Sequence, residues 1–156
     1  MLQILRLADI IKVSEDEARL LTGETSLEKG ALALAEQGPF IVFVTLGEKG
    51  AFYLCEDGCG TLPAYGVHTV DTTGAGDAFL GAVHYRLRGK GTNQLHGINR
   101  EELADIVDFA NAAAGLTTGK KGAIPAMPSL EEIEHCRKNI PAKNIPVKSI
   151  PVSKFR

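Results

Sequence analysis

The stretch Val70-Asp71-Thr72-Thr73-Gly74-Ala75-Gly76-Asp77-Ala78-Phe79 gathers residue types that handle phosphate. From Ala75 onward, Ala78, Phe79, Ala82 and Val83 recur at helical spacing, so one stripe faces a core and Asp77 lies off it. The first amides of a helix lack intrahelical acceptors, glycine lets a ligand approach the backbone closely, and the helix dipole adds partial positive charge. Gly74, Ala75 and Gly76 therefore read as an anion hole for a transferring phosphoryl group. Asp77, one residue beyond, can accept the proton of a hydroxyl that attacks in line with that phosphate.

A plainer reading uses the same residues: Thr72 or Thr73 caps the helix, the glycines permit tight packing, and Asp77 complements the dipole. Two other phosphate motifs are excluded. No Gly-Lys-Ser/Thr follows, as a Walker A loop requires, and the Gly-x-Gly-x-x-Gly of a dinucleotide fold is incomplete.

The elements that must position this motif alternate in type. Ile10, Ile11 and Val13 read as a buried strand running into Ser14-Glu15-Asp16-Glu17, a capping box for a short helix that Gly23 ends. A second helix, about 26–37, with Leu27, Ala31, Leu34 and Ala35 on one face, leads through Gly38-Pro39 into the strand 40–44. A continuous apolar strand after an amphipathic helix implies a parallel sheet covered on both faces. Leu46 to Gly50 is a turn, and the runs 51–54, 60–63 and 66–70 suggest a small β excursion before the glycine-rich helix. A further helix opens at Asn99, with Glu102 three residues on, and a last one spans about 130–138 after Pro128-Ser129.

The whole is a doubly wound α/β unit over residues 1–139, followed by a tail, 140–156, that repeats Ile-Pro and is expected to be extended or disordered. Only two convincing central strands precede the glycine-rich helix, and residues 2–9 resemble the end of a helix delivering the chain to a strand. The expectation is the C-terminal part of a longer protein, with self-association or a homodimer covering apolar edges.

With 156 residues, 44% hydrophobic and 23% charged, one globular unit is expected, and a net charge of -2 gives no reason to expect nucleic acid or an anionic membrane as partner. No apolar run suits a membrane span and no signal peptide is evident, so a cytoplasmic location is expected. Cys55, Cys59 and Cys136 read as reduced thiols. His68, His84, His96 and His135 lack metal-like spacing, with His96 in a polar loop.

The segment 71–79 closely resembles the signature of the ribokinase-like, PfkB-type carbohydrate kinases. The resemblance runs from Ala8 to about Ile133, through Ile11-Lys12-Val13-Ser14-Glu15-Asp16-Glu17, Val44-Thr45-Leu46-Gly47-Glu48-Lys49-Gly50 and Asn111-Ala112-Ala113-Ala114, in the family's order. It implies the C-terminal part of a three-layer ribokinase-like sheet and an ATP-dependent kinase acting on a sugar hydroxyl, most like a fructokinase. The sugar-binding N-terminal Gly-Gly segment and β lid are not in this sequence, which leaves the sugar open. The resemblance makes Asp77 the catalytic base, with Gly74, Ala75 and Gly76 stabilising the phosphate.

It further places ATP against Thr45, Leu46, Gly47, Glu48, Lys49 and Gly50, with Asn111 beside the adenine. Glu17 matches the acid of the family's Asn-x-x-Glu motif and would organise Mg2+ through water, although Ser14 stands where asparagine is usual. Asp71 and Thr73, with carbonyls of the loop 117–122, would hold a monovalent cation such as K+. Lys121 could approach the nucleotide. The alternative is a non-catalytic nucleotide-binding or structural fragment that lacks the sugar-binding half.

Overall fold

A computed structural model describes residues 5–151. Strand β1 (Ile10–Ser14) leads into α1 (Glu15–Thr22), α2 (Leu27–Ala35) and β2 (Ile41–Thr45). Both helices start where side chains demand. Ser14 and Glu17 form a reciprocal capping box, and Ser26 accepts the Lys29 amide. Gly23 ends α1 with φ 73°, the left-handed conformation that favours glycine.

After β2 the chain reverses through a 3-10 turn at Gly47–Lys49 into β3 (Ala51–Cys55) and β4 (Gly58–Leu62). The sheet is mixed: β1 and β2 are parallel, with Lys12 opposite Phe43, and β2, β3 and β4 are antiparallel. The parallel arrangement expected of β2 thus holds only toward β1, because connections this short force antiparallel neighbours. The expected excursion joins the main sheet. Its third run, 66–70, is not a strand. Its backbone serves the end of a helix instead, with the Val70 and Asp71 amides both donating to the Thr118 carbonyl at 2.7 and 3.1 Å.

Helix α3 (Ala75–Leu87) follows, then α4 (Thr92–His96), α5 (Arg100–Thr118) and α6 (Leu130–Asn139). His96, expected in a loop, sits in the short α4, where its ring stacks on Phe40 and its Nδ1 lies 3.0 Å from Glu56 Oε1. The Ile-Pro tail runs beside residues 64–66, its Lys143 amide donating to the Ala64 carbonyl at 2.8 Å, and ends in β5 (Lys148–Pro151) against β4. The expectations for residues 2–4 and 152–156 fall outside the described residues.

Alternation along β2 separates the two cores. Ile41 and Phe43 face α3, α5 and α6, while Val42 and Val44 face α1 and α2. This gives helix, sheet and helix layers, the three-layer α/β arrangement expected. Alternation also keeps the thiols apart, since Cys55 packs into the first core and Cys59 into the second. All three cysteines are free and buried. Burial pushes the Cys59 thiol up to about 11. Among the described residues no helix is long and apolar enough to cross a membrane.

Candidate active site

The glycine-rich helix begins without a side-chain cap. Gly74 occupies the cap position with φ 80° and ψ 0°, and neither Thr72 nor Thr73 accepts a bond from the first turn. The Ala75 amide reaches the Thr72 carbonyl at 3.3 Å and the Ala78 amide reaches Gly74 at 2.8 Å. The amides of Gly76 and Asp77 between them have no acceptor among the described residues. The expected Thr72 or Thr73 cap is therefore absent, while Asp77 does lie in the first turn of the helix.

Glycine at position 74 is required twice over. Its φ is left-handed, and a Cβ there would lie 2.6 Å from that of Ala123. Ala123 belongs to the loop after α5, which Asp71 ties to the motif. One carboxylate oxygen accepts the Thr73 amide at 2.9 Å and the other the Gly122 amide at 3.0 Å. These bonds, Gly122 first, hold the Asp71 carboxyl below the usual range. Asp77 is exposed on the first turn of α3, with no hydrogen bond or ion pair among the described residues.

A cavity of about 590 Å³ opens beside this helix start. Ala75 and Gly76 form part of its wall, and Thr45, Gly47, Glu48, Gly50 and Asn111 form another part, so one cleft unites segments far apart in sequence. Leu46 instead packs toward the α1/α2 core, and Lys49 and Lys121 do not line the cavity. The Thr45 hydroxyl donates to the Val13 carbonyl at 3.3 Å, fastening β2 to β1 at the cleft edge. Gly47 has φ 60° with open space where a Cβ would stand, whereas a Cβ on Gly50 would meet the Leu62 carbonyl at 2.1 Å.

Asn111 is buried on α5, and its amide nitrogen donates to the Leu62 and Pro63 carbonyls at 3.2 and 3.1 Å. Both donors are thereby used, leaving the oxygen as the remaining polar atom of the side chain. Ser14 also lines the cavity. Glu17 Oε2 accepts the Ser14 amide at 2.7 Å, and that bond above all lowers the Glu17 pKa. Its second oxygen has no partner among the described residues. No group of three or more His, Cys, Asp or Glu side chains gathers as a metal site among those residues. A magnesium held by one carboxylate, waters and substrate phosphates needs no such group.

Sequence reasoning missed part of the wall. Tyr65, Val67, Thr69 and Lys143 also line the cavity. The first three lie in or beside the segment read as a strand, and Lys143 lies in the tail, where its ammonium pairs with Glu48 at 3.3 Å. Tyr65 is anchored by its hydroxyl, which donates to Asp108 at 2.8 Å. No local pattern marks these positions.

Residues 1–130 match the pfkB family carbohydrate kinases. Fructokinase-2 of Oryza sativa subsp. japonica is 45% identical over 130 residues, 83% of this chain and 38% of that protein. The crystal structure of a fructokinase double mutant from Vibrio cholerae O395, with fructose, ADP and potassium ion bound, superimposes with a TM-score of 0.75 at 37% identity, covering 85% of this chain and 42% of that one. Ribokinase from Thermotoga maritima gives 0.74 at 32% identity, over 89% and 45%. The chain thus spans about two fifths of the length of the relatives it matches.

Proposed function

The chain belongs to the pfkB family of carbohydrate kinases, and on that premise we propose that it carries the nucleotide-binding and phosphoryl-transfer part of an ATP-dependent sugar kinase with fructose as the favoured acceptor. The observation that carries the reading is the uncapped start of α3, whose open Gly76 and Asp77 amides stand beside a cleft that Thr45, Gly47 and Asn111 share. ATP lies along this cleft with its adenine toward Asn111 and its phosphates toward the glycines.

The attacking sugar hydroxyl gives its proton to Asp77 as its oxygen bonds to the γ-phosphorus, and the bond from that phosphorus to the ADP oxygen breaks. The unpaired Asp77 carboxylate suits this task. Charge on the moving phosphoryl group is met by the open Gly76 and Asp77 amides, which the Gly74-Ala75-Gly76 turn presents, and by the α3 dipole. Glu17 would hold Mg2+ through water with its unpartnered oxygen, while the other oxygen keeps the helix cap. Magnesium, when bound, neutralises phosphate charge. Asp71 and Thr73 would face a monovalent cation, Asp71 with the lone pairs its two amide bonds leave.

The short span relative to the rice enzyme favours a second reading, in which this chain alone binds nucleotide without catalysis. Calorimetric titration with Mg-ATP, in parallel with a Thr45→Val/Gly47→Ala double variant, tests the shared premise. Saturable binding that the double variant loses is expected, and its absence would mean that this chain alone does not form the nucleotide site. Fructose-dependent ADP production by the chain alone would then eliminate the second.

A further inference from the structure

The Ile-Pro tail lies beyond residues 1–130, where the family match ends, so the match does not account for its place on the cleft. Its prolines deny it a helix, and its backbone is tied instead to the wall it follows. The Gly66 amide donates to the Pro141 carbonyl at 3.1 Å, the Lys143 amide donates to the Ala64 carbonyl at 2.8 Å, and Tyr65 and Ala142 form an antiparallel bridge. The Ile145 amide then closes on the Lys143 carbonyl at 2.7 Å, and the chain goes on to pair with β4. Lys143 is thus held on both sides along the strap, and among the described tail residues it alone lines the cavity.

From that anchor the lysine side chain follows the cleft wall from its Asn111 end to the 3-10 turn. Its amide is bonded to Ala64, next to the Leu62 and Pro63 carbonyls that accept from Asn111, and its ammonium reaches Glu48 Oε2 at 3.3 Å. Turn and anchor are held together at Gly50, where a Cβ would meet the Leu62 carbonyl at 2.1 Å and the Ala64 nitrogen at 2.6 Å. The ion pair itself does little for stability, since Glu48 is 84% exposed and surface pairs of this kind are weak. Glu48 takes one of the three ammonium donors, and its own Oε1 has no partner among the described residues. A carboxylate that only accepts and an ammonium that only donates stand side by side on the cavity wall. Together they match a ligand group whose atoms do both, and a vicinal diol is such a group.

We propose that Lys143 and Glu48 form a ribose clamp, with Lys143 as a binding and specificity residue contributed by the tail. This rests on the reading of the cleft as the nucleotide site. With the adenine toward Asn111 and the phosphates toward α3, the ribose lies between them, along the path of the lysine side chain. Its hydroxyls donate to Glu48 Oε1 and their oxygens accept from the ammonium. The clamp selects a nucleotide that carries the diol over one that lacks it, and contacts neither the base nor the phosphates.

The test is calorimetric titration of the full chain, Lys143→Met and Glu48→Gln with Mg-ATP and with the magnesium complex of 2′,3′-dideoxy-ATP, which keeps the adenine and the triphosphate. The unaltered chain should bind ATP more tightly than the dideoxy analogue by on the order of tenfold or more. In Lys143→Met the affinity for ATP should fall by about that factor while the affinity for the analogue stays nearly unchanged, and Glu48→Gln should narrow the preference in the same direction. Should the Met variant fail to fold, Lys143→Gln carries the same expectation. A loss shared equally by the two nucleotides, as a phosphate contact or a merely structural strap gives, would overturn the proposal. Equal binding of both nucleotides by the unaltered chain would overturn the clamp and leave the nucleotide reading standing. A chain that binds neither would overturn the clamp as a site this chain forms, together with the reading it rests on.

Discussion

Helices α6 and α3 start in opposite ways. At α6 the Ser129 amide donates to Glu132 at 2.7 Å and the Glu132 amide donates to Ser129 at 3.2 Å, so the chain satisfies its own helix end. At α3 a glycine in left-handed conformation stands at the cap and supplies no side chain. The self-satisfied end is a stability device, whereas the open end leaves the Gly76 and Asp77 amides without acceptors among the described residues. Helix α1 lies between the two cases. Its Ser14–Glu17 box has the same two distances as that of α6, yet Ser14 lines the cleft and Glu17 keeps one oxygen unpartnered. Identical local chemistry thus becomes structural or available for function according to what lies beside it.

The sharpest way to break this contrast is Asp77→Asn. If the open end is catalytic, phosphoryl transfer by an enzyme containing this chain should fall on the order of a hundredfold or more with ATP affinity nearly kept. Steady-state rates and calorimetry measured together decide it, and surviving activity would mean that Asp77 is not the base. Next in size is Gly74→Ala, which meets both the Ala123 contact and the left-handed backbone. We expect a loss of about 2 kcal/mol in denaturant unfolding. An unchanged midpoint would show that the loop carrying Ala123 yields freely.

Smaller still, Ser129→Ala should cost about 1 kcal/mol and leave Mg-ATP binding alone, while Ser14→Ala should cost a similar amount and also weaken Mg-ATP binding. Equal binding in the two variants would erase the distinction drawn between the boxes. The pH dependence separates them least. The Ser129 amide bond first, and then Lys120, hold the Glu132 carboxyl below its ordinary range, and Ser14 does the same for Glu17. A carboxyl lowered in the folded state adds stability above its unfolded pKa, and that contribution disappears as pH falls through the folded value. Acid unfolding below the ordinary glutamate range should therefore begin at higher pH in Glu132→Gln and in Glu17→Gln, each by a small margin at these exposed sites.

Much of this was legible along the chain because it depends on near neighbours. Capping boxes, the Gly23 stop and the apolar stripes are decided within a few residues, and the glycine-rich segment 71–79 is marked by residue types alone. The segment 66–70 has β-type residues but finds no strand partner, and its amides turn instead to Pro141, Tyr65 and Thr118. The helix that carries His96 is not legible in the sequence because five residues hold too little pattern to register.

By itself, then, the sequence determined the longer helices and most of their starts, the glycine-rich segment before α3, the candidate base and the family. Tertiary structure decided which of these residues share a cleft. It turned Leu46 away and brought Tyr65 and Lys143 in. It also spent both Asn111 donors on backbone carbonyls and set the Lys143 ammonium against Glu48. The physical reason is one of range: caps and periodicity act over one or two helical turns, whereas the meeting of Lys143 with Glu48 is fixed by how the tail pairs along residues 64–66, which no short window of sequence contains.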